Sequence, residues 1–355
     1  MSICEWLQDC PMSEPDQNIP DPIDSEDDVA PKGRPSLKSL GQSKSFKKAL
    51  WVSAGVGLIM IGLAEYWSLE PEPFDVVEVA AEAAHVENPK ELPLGFTYTS
   101  TLIEIADTLL HKPGGFLLND VFPPSVLLDN IPNWEIGALI ALRDATTALR
   151  NNIARSQTQS QEDPDLSKGE PFLYFDYRSW QLPASESEYE KGIESLVAYR
   201  ERLRKRDANF YARADNLRQY LEVLEKRLGD YSNRLSASTA DRAPEGEERH
   251  SDLGRTPWLK LDDRFFEARG YTWAAMLVLK AIEWDFRDIL GNKTALVSLQ
   301  QIVRELENSQ GSHLSPVILN GSGFGLFANY SLTLANYIAR ANAATIDLRS
   351  LLERG

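Results

Sequence analysis

Cysteine and histidine are scarce in this chain of 355 residues, which limits the chemistry that its sequence supports. The two cysteines, Cys4 and Cys10, lie near the N-terminus, so no disulfide can join residues further along the chain. Without a histidine or a second cysteine pair beside them they are a weak metal signal, and we interpret them as reduced thiols. The four histidines stand far apart, at positions 85, 111, 250 and 313. The sequence therefore predicts no metal, no cofactor and no catalytic residue.

Basic residues are outnumbered, because 37 Lys and Arg stand against 53 Asp and Glu and give a net charge of −16. A nucleic-acid-binding protein needs a concentrated basic face, so this balance argues against nucleic acid as a partner. The residues up to Ala30 include many acids and no lysine or arginine, which is typical of a disordered tail. A docking peptide at Ile3–Leu7 is the alternative interpretation of its first residues.

One long apolar run stands against this polar background, from Ala49 to Ala64. As a helix it would be roughly 24 Å long, slightly short for a bilayer core, and its flanking residues extend it. Lys47 and Lys48 can reach one interface, while Tyr66 and Trp67 suit the other. The run predicts a transmembrane signal anchor at residues 49–68 that contacts the lipid bilayer. A buried core helix and a cleavable signal peptide are the rival interpretations.

The charges on either side of the run predict its orientation. Six basic residues lie between Lys32 and Lys48, whereas the first basic residue after the run is Lys90. The positive side of a membrane helix stays in the cytoplasm. We therefore predict a cytoplasmic tail at residues 1–48, a linker at 69–96, and an extracytoplasmic helical domain at 97–355 with a flexible loop at about 236–256.

Apolar residues after the linker recur at helical spacing, which predicts an all-α domain. A capping box at Thr101 and Glu104 would begin a helix that ends at Pro113. Asn133 would cap the next helix, and residues 261–290 would form the most buried one, followed by a helix at 294–306. The expected inner face of the helix after Asn133 consists of Trp134, Ala138, Ala141, Leu142, Ala145, Leu149 and Ile153.

Two heptad patterns indicate long helices. After a second capping box at Ser185 and Glu188, apolar residues recur every seven positions from Tyr189 to Tyr231, which predicts one helix of roughly 70 Å. A second seam extends from Phe327 to Leu351. Together they predict an antiparallel pair within an elongated bundle. A self-associating coiled coil, and hence a homo-oligomer, is the alternative. Separately, Ser53 and Gly57 lie four residues apart in the apolar run and could let two such helices approach closely.

Two segments between the helices are apolar although they look like loops. Gly114–Trp134 is rich in Pro, Val, Leu and Phe, and Phe172–Trp180 is an aromatic cluster that reads as a short strand or an extended arm. An apolar loop of this kind must pack against something. We therefore predict that these segments contact partner proteins in the cell envelope.

Three stretches of the sequence resemble a known family. They are Gly114–Ser125 (Gly-Gly-Phe-Leu-Leu-Asn-Asp-Val-Phe-Pro-Pro-Ser), the helix start Asn133–Leu139, and Asn320–Tyr330 (Asn-Gly-Ser-Gly-Phe-Gly-Leu-Phe-Ala-Asn-Tyr). They resemble an uncharacterised family of single-pass bacterial envelope proteins, known only as a domain of unknown function. The resemblance extends over most of the chain after the apolar run. It implies a bacterial inner-membrane protein with a periplasmic body, and it brings no catalytic residues.

Few other motifs suggest chemistry. Gly321–Gly325 has the small residues of a phosphate loop, but a helix–helix turn is the simpler interpretation. Carboxylates near the first apolar segment and on the buried helix could act as a pair on cell-wall glycan, although ion pairing of Lys280 with Glu283 or Glu267 is the ordinary alternative. We favour a membrane-anchored, non-enzymatic scaffold or adaptor over a hydrolase or a binder of an apolar ligand. The carboxylates in question are Asp120, Asp129, Glu135, Glu267, Glu283, Asp285 and Asp288.

Overall fold

A computed structural model describes residues 44–155, 161–237, 256–257, 260–292, 295–311, 318 and 329–354. Within these residues the regular structure is helical and contains no β-strand, which confirms the expected all-α class. Cys4, Cys10, His250, His313, Gly321–Gly325 and nearly all of the expected loop at 236–256 lie outside the described residues. The α-helices are α1 (Lys44–Trp67), α2 (Val76–Ala84), α3 (Phe96–His111), α4 (Asn130–Ala148), α5 (Pro164–Leu173), α6 (Ser185–Arg204), α7 (Ala214–Ser236), α8 (Leu261–Asp285), α9 (Arg287–Asn292), α10 (Leu296–Ser309) and α11 (Tyr330–Arg354).

The apolar run forms α1, which extends a few residues beyond the run at both ends. Its stretch Lys47–Trp67 is long and apolar enough to cross a membrane, and none of its most apolar window is buried. Residues from Val56 onward, including the last turns of α1, belong to one compact unit. We call the part of this unit that follows Trp67 the body.

The expected linker at 69–96 contains α2, which packs against α3. Asp75 caps α2 by accepting hydrogen bonds from the N–H groups of Val77 and Glu78 at 2.8 and 3.1 Å. Ala80 and Ala84 are buried against Phe96, the first residue of α3. The residues that follow α1 are therefore held in place by helix packing.

The predicted capping box at Thr101 is wrong, because α3 begins five residues earlier, at Phe96. Thr101 lies inside the helix and donates its hydroxyl hydrogen bond to the Thr97 carbonyl. The N-terminus of α3 is instead satisfied by Asp285 at the end of α8, which accepts from the N–H groups of Gly95 and Tyr98 at 3.1 and 2.8 Å. Sequence spacing alone cannot reveal a cap that comes from residues almost two hundred positions away.

The centre of the body is the crossing of α4 and α8. A Cβ atom on Gly137 would lie 1.9 Å from the Glu267 carbonyl oxygen, and one on Gly270 would lie 1.9 Å from the Trp134 carbonyl oxygen. The two backbones are therefore in direct contact, which only glycine permits. The expected inner face of α4 is buried throughout, and α8 is the buried helix that the sequence predicts. Asn133 lies within α4 and does not cap it, because the helix begins at Asn130.

The predicted 70 Å helix is wrong, because the heptad stripe is divided between α6 and α7. Between them the chain turns, with Arg206 in the left-handed region (φ 58°). The break falls at Asp207, where the stripe has a charged residue. Phe210 turns inward and packs on Tyr98 and Phe286, with ring centroids 5.9 and 5.7 Å apart. Burying that ring is incompatible with one straight helix.

Helices α7 and α11 nevertheless form the antiparallel pair that the two seams predict. Arg218 near the start of α7 pairs with Glu353 near the end of α11 at 3.1 Å. Ser232 near the end of α7 donates to the Ala335 carbonyl near the start of α11 at 3.2 Å. The buried seam of α11 differs slightly from the predicted one, since Ile338 and Leu352 are buried where Tyr337 and Leu351 were expected.

Candidate functional site

The most exposed apolar side chains of the body lie on two loops, residues 112–129 and 174–184. Phe122 is 70% exposed, Leu127 is 76% exposed and Leu182 is 96% exposed. Large exposed apolar patches on a folded protein mark sites that bind another protein, a membrane or a ligand. We call the exposed residues Val121, Phe122, Val126, Leu127, Trp180 and Leu182 the loop surface.

The two loops are joined to each other. The rings of Phe122 and Trp180 pack edge to face with centroids 6.3 Å apart. Below them, the buried Asn119 side chain donates hydrogen bonds to the Ser179 carbonyl at 2.9 Å and to the Glu186 carboxylate at 2.8 Å. The two loops therefore meet at the exposed rings of Phe122 and Trp180.

The base of the first loop is fixed by a buried carboxylate. Glu135 of α4 accepts hydrogen bonds from the N–H groups of Leu117 and Leu118 at 2.9 and 2.8 Å. It also forms an ion pair with Lys112, and both side chains are almost completely buried. Burial raises the pKa of Glu135 to about 7, against the lowering effect of Lys112 and of the two N–H groups. This pair holds the loop at the point where it leaves α3.

The second loop is fixed from below by α4 and α6. Arg143 of α4 donates to the carbonyls of Leu173 and Phe175 at 2.7 and 2.8 Å. The hydroxyl of Ser185, the first residue of α6, lies 2.7 Å from the Asp176 carbonyl. Ser185 therefore braces this loop, and the predicted capping box at this position is wrong. Phe172 and Leu173 end α5, so the short-strand interpretation of this segment is wrong as well.

The start of the first loop also contacts the end of α1. Trp67 packs against the body core, and a Cβ on Gly114 would lie 2.8 Å from the Trp67 ring and 3.0 Å from Leu117. Three residues further on, Glu70 forms an ion pair with Arg269 of α8 at 2.6 Å. Arg269 is buried and also donates to the carbonyls of Ser309 and Gly311. The apolar helix is thus clamped to the body within one turn of its end.

Four of the seven carboxylates that could have formed a catalytic pair have separate structural partners. Glu135 holds the first loop, Asp285 caps α3, and Glu267 accepts a hydrogen bond from Arg234 at 2.6 Å. Glu283 accepts from Gln300 at 2.7 Å. Lys280 pairs with Glu307 at 2.8 Å, so both partners expected for it are wrong.

A groove of about 590 Å³ lies between the segment before α2, the end of α8 and α10. Phe74 and Trp284 contribute aromatic surface, whereas Lys280, Glu283 and Arg304 contribute charges. A binder of an apolar ligand needs an enclosed, mostly apolar cavity. This groove is open to solvent instead of enclosed, so it gives that alternative function little support.

The two described histidines have ordinary surroundings. His85 ends α2 in the left-handed conformation, and His111 lies 3.0 Å from Asp107 on the surface of α3. The described part of the chain contains no group of three metal-ligating side chains.

Sequence reasoning identified both apolar loops but missed what fixes them. The contacts of Glu135 with Lys112 and of Glu70 with Arg269 join residues far apart in the chain, and no local pattern signals them. Leu182 also went unnoticed, although a leucine before a proline in a polar stretch was a visible signal.

Comparison with known proteins gives one result. A family model described as an uncharacterized protein conserved in bacteria (DUF2333) matches residues 42–355. No curated protein and no solved structure matches the chain.

Proposed function

The chain belongs to the DUF2333 family of bacterial proteins, and on that premise we propose that it is a membrane-anchored scaffold or adaptor of the cell envelope. This proposal rests on one arrangement. The ion pair of Glu70 with Arg269 fixes the chain to the body just after the apolar helix, and the body exposes the apolar loop surface. In this proposal α1 spans the inner membrane with its N-terminus in the cytoplasm, and the body lies in the periplasm.

The exposure of α1 supports the membrane assignment. Its large apolar side chains, such as Trp51 and Leu58, face away from the protein. Leaving such side chains in water costs about 1.5–3 kcal/mol each relative to full burial. A bilayer removes that cost along the whole helix, and the basic residues before α1 favour the proposed orientation.

Topology is tested by fusing alkaline phosphatase or a green fluorescent protein after Gly355 in a bacterial host. We expect an active phosphatase and a dark fluorescent protein, because phosphatase matures only outside the cytoplasm. A fluorescent C-terminus with an inactive phosphatase would overturn the orientation.

The scaffold role is tested by crosslinking in cells, followed by affinity capture of the tagged chain from washed membranes. The matched control carries residues 1–68 fused to an unrelated periplasmic domain. We expect the full chain to recover specific envelope proteins that the control does not recover. Identical captured sets from both chains would contradict an adaptor role.

A further inference from the structure

We propose that the loop surface is a second membrane contact, whose side chains insert among the phospholipid headgroups of the leaflet from which α1 emerges. This inference rests on the proposed membrane anchoring and names the envelope component that the loop surface touches.

The position of the loops supports a lipid contact. Trp67, the last residue of α1, lies at headgroup depth if α1 spans the membrane. The first loop starts against this residue, since the Trp67 ring and the Leu117 side chain both lie within about 3 Å of the position that a Cβ on Gly114 would take. Phe122 follows Leu117 by five residues, so it lies within about 18 Å of Leu117 even in a fully extended chain. The loop surface therefore begins within reach of the level at which the helix would leave the bilayer.

The composition of the surface suits the interface. Tryptophan and phenylalanine are enriched at headgroup depth, and exposed leucines supply apolar area to the acyl boundary. Trp180 and Phe122 are in contact with each other, and Leu127 and Leu182 are almost fully exposed. Leu69, two residues after Trp67, is exposed as well, so exposed apolar side chains continue beyond the end of α1.

The backbone at Leu182 adds an independent observation. This leucine has a φ of 44°, a left-handed conformation that costs a residue with a Cβ about 1 kcal/mol or more. Its side chain is at the same time 96% exposed. A strained backbone that holds an apolar side chain in solvent is explained if that side chain has a binding partner outside the protein.

The bracing of the loops makes insertion favourable. Glu135 fixes the first loop, and Asn119 ties it to the second. Side chains on rigid loops lose little conformational entropy when they bind, so more of the burial free energy remains for the contact.

The test uses the full chain with Cys4→Ser and Cys10→Ser in liposomes of phosphatidylethanolamine and phosphatidylglycerol. Leu182→Cys is labelled with the environment-sensitive dye NBD, and some lipids carry a nitroxide just below the headgroup. The matched control is Val297→Cys on α10, a site that is 67% exposed and outside the loop surface. We expect severalfold stronger quenching and a blue-shifted emission at position 182. Equal quenching at the two positions would overturn the proposal.

Two further measurements separate the possible failures. If alkaline carbonate releases the labelled chain from the liposomes, the membrane anchoring and this inference both fail. If the chain is retained without quenching at position 182, only this inference fails. A photocrosslinking residue at position 182 in cells should form adducts with phospholipid, whereas adducts with one specific protein would assign the loop surface to a protein partner instead.

Discussion

Two helix pairs dominate the body, and they are built in different ways. In the pair α4/α8 the backbones touch at Gly137 and Gly270, where any Cβ atom would lie 1.9 Å from a carbonyl oxygen. In the pair α7/α11 buried apolar side chains, such as Leu224 and Ile338, lie between the helices. A Cβ atom on Gly229 would there meet the Asn342 amide at 3.5 Å, an ordinary contact.

The charged side chains of the two helix pairs also differ, in how deeply they are buried and in what they bind. Glu135 of α4 and Asp285 of α8 are buried and hold backbone N–H groups of other segments. The pairs Arg218–Glu353 and Arg349–Glu225 join α7 to α11 nearer the surface. The first helix pair therefore positions the first loop and the N-terminus of α3, whereas the second contributes mainly packing. Variants of each pair should show this difference.

Gly270→Ala should have the largest effect. Its new methyl group would collide with the Trp134 carbonyl, so both helices must move apart and the unfolding free energy should fall by about 4 kcal/mol or more. The measurement is chemical denaturation of the full chain in detergent, followed by tryptophan fluorescence. The control Gly229→Ala should raise the unfolding free energy by about 0.5–1 kcal/mol. Equal effects of the two substitutions would refute the contrast between the helix pairs.

The buried ion pair should come next. Glu135→Gln leaves the Lys112 ammonium buried without a counter-charge, which should cost about 3 kcal/mol in the same denaturation experiment. Adding Lys112→Met removes that charge, while the glutamine can still accept from Leu117 and Leu118. The double variant should therefore regain most of the lost stability. A double variant as unstable as the single one would show that the charges do not cause the loss.

The pH dependence of the unfolding free energy should show a smaller effect, which comes from Asp285 at the end of α8. Burial raises the pKa of Asp285 to about 7, although two N–H groups and Arg287 oppose the rise. A raised pKa means that the folded state binds a proton more tightly than the unfolded state. The stabilisation is complete below the unfolded pKa of about 4 and is lost as pH rises through about 7.

Asp285→Asn removes this titration and keeps one acceptor oxygen, so the N–H of either Gly95 or Tyr98 loses its partner at every pH and the variant is less stable throughout. From about pH 6 to pH 8 the unfolding free energy of the unmodified chain should therefore drop by about 1 kcal/mol more than that of the variant. Glu135 remains as a source of pH dependence in both chains. Parallel pH profiles would mean that Asp285 does not titrate in this range.

Glu353→Gln should have the smallest effect. It breaks the ion pair with Arg218 across α7/α11, where both side chains are more than two-fifths exposed. Such exposed pairs contribute about 0.2–1 kcal/mol and are weakened by salt. We expect a loss in that range at low salt and none at high salt. A larger loss that persists in salt would show that the pair is structurally important.

Periodicity predicted the helices of this fold better than their ends. The inner face of α4, the burial of α8 and the pairing of α7 with α11 follow from apolar spacing, because burial on one face imposes that spacing. Helix starts were less predictable. The N-terminus of α3 is satisfied by Asp285 instead of a local cap, and Ser185 braces a loop. Long-range partners override local capping signals.

The loop surface was partly predictable. Apolar residues in segments rich in proline and glycine indicated that both loops contact something. Nothing local indicated that Asn119 would join them or that Gly114 would lie against Trp67, because these contacts depend on how distant helices pack. The heptad stripe from Tyr189 to Tyr231 misled for the same reason. Its apolar positions are all buried, yet they are divided between α6, α7 and Phe210 in the turn that joins them.

The clamp between Glu70 and Arg269 has a consequence for how the protein would search for partners. A domain on a flexible tether explores a volume set by the length of its linker. In the proposed topology the ion pair would instead hold the residues just after α1, and the helices packed on them, close to the membrane surface. A partner of these helices would then have to offer its binding site near that surface, which makes the distance from the membrane part of the recognition.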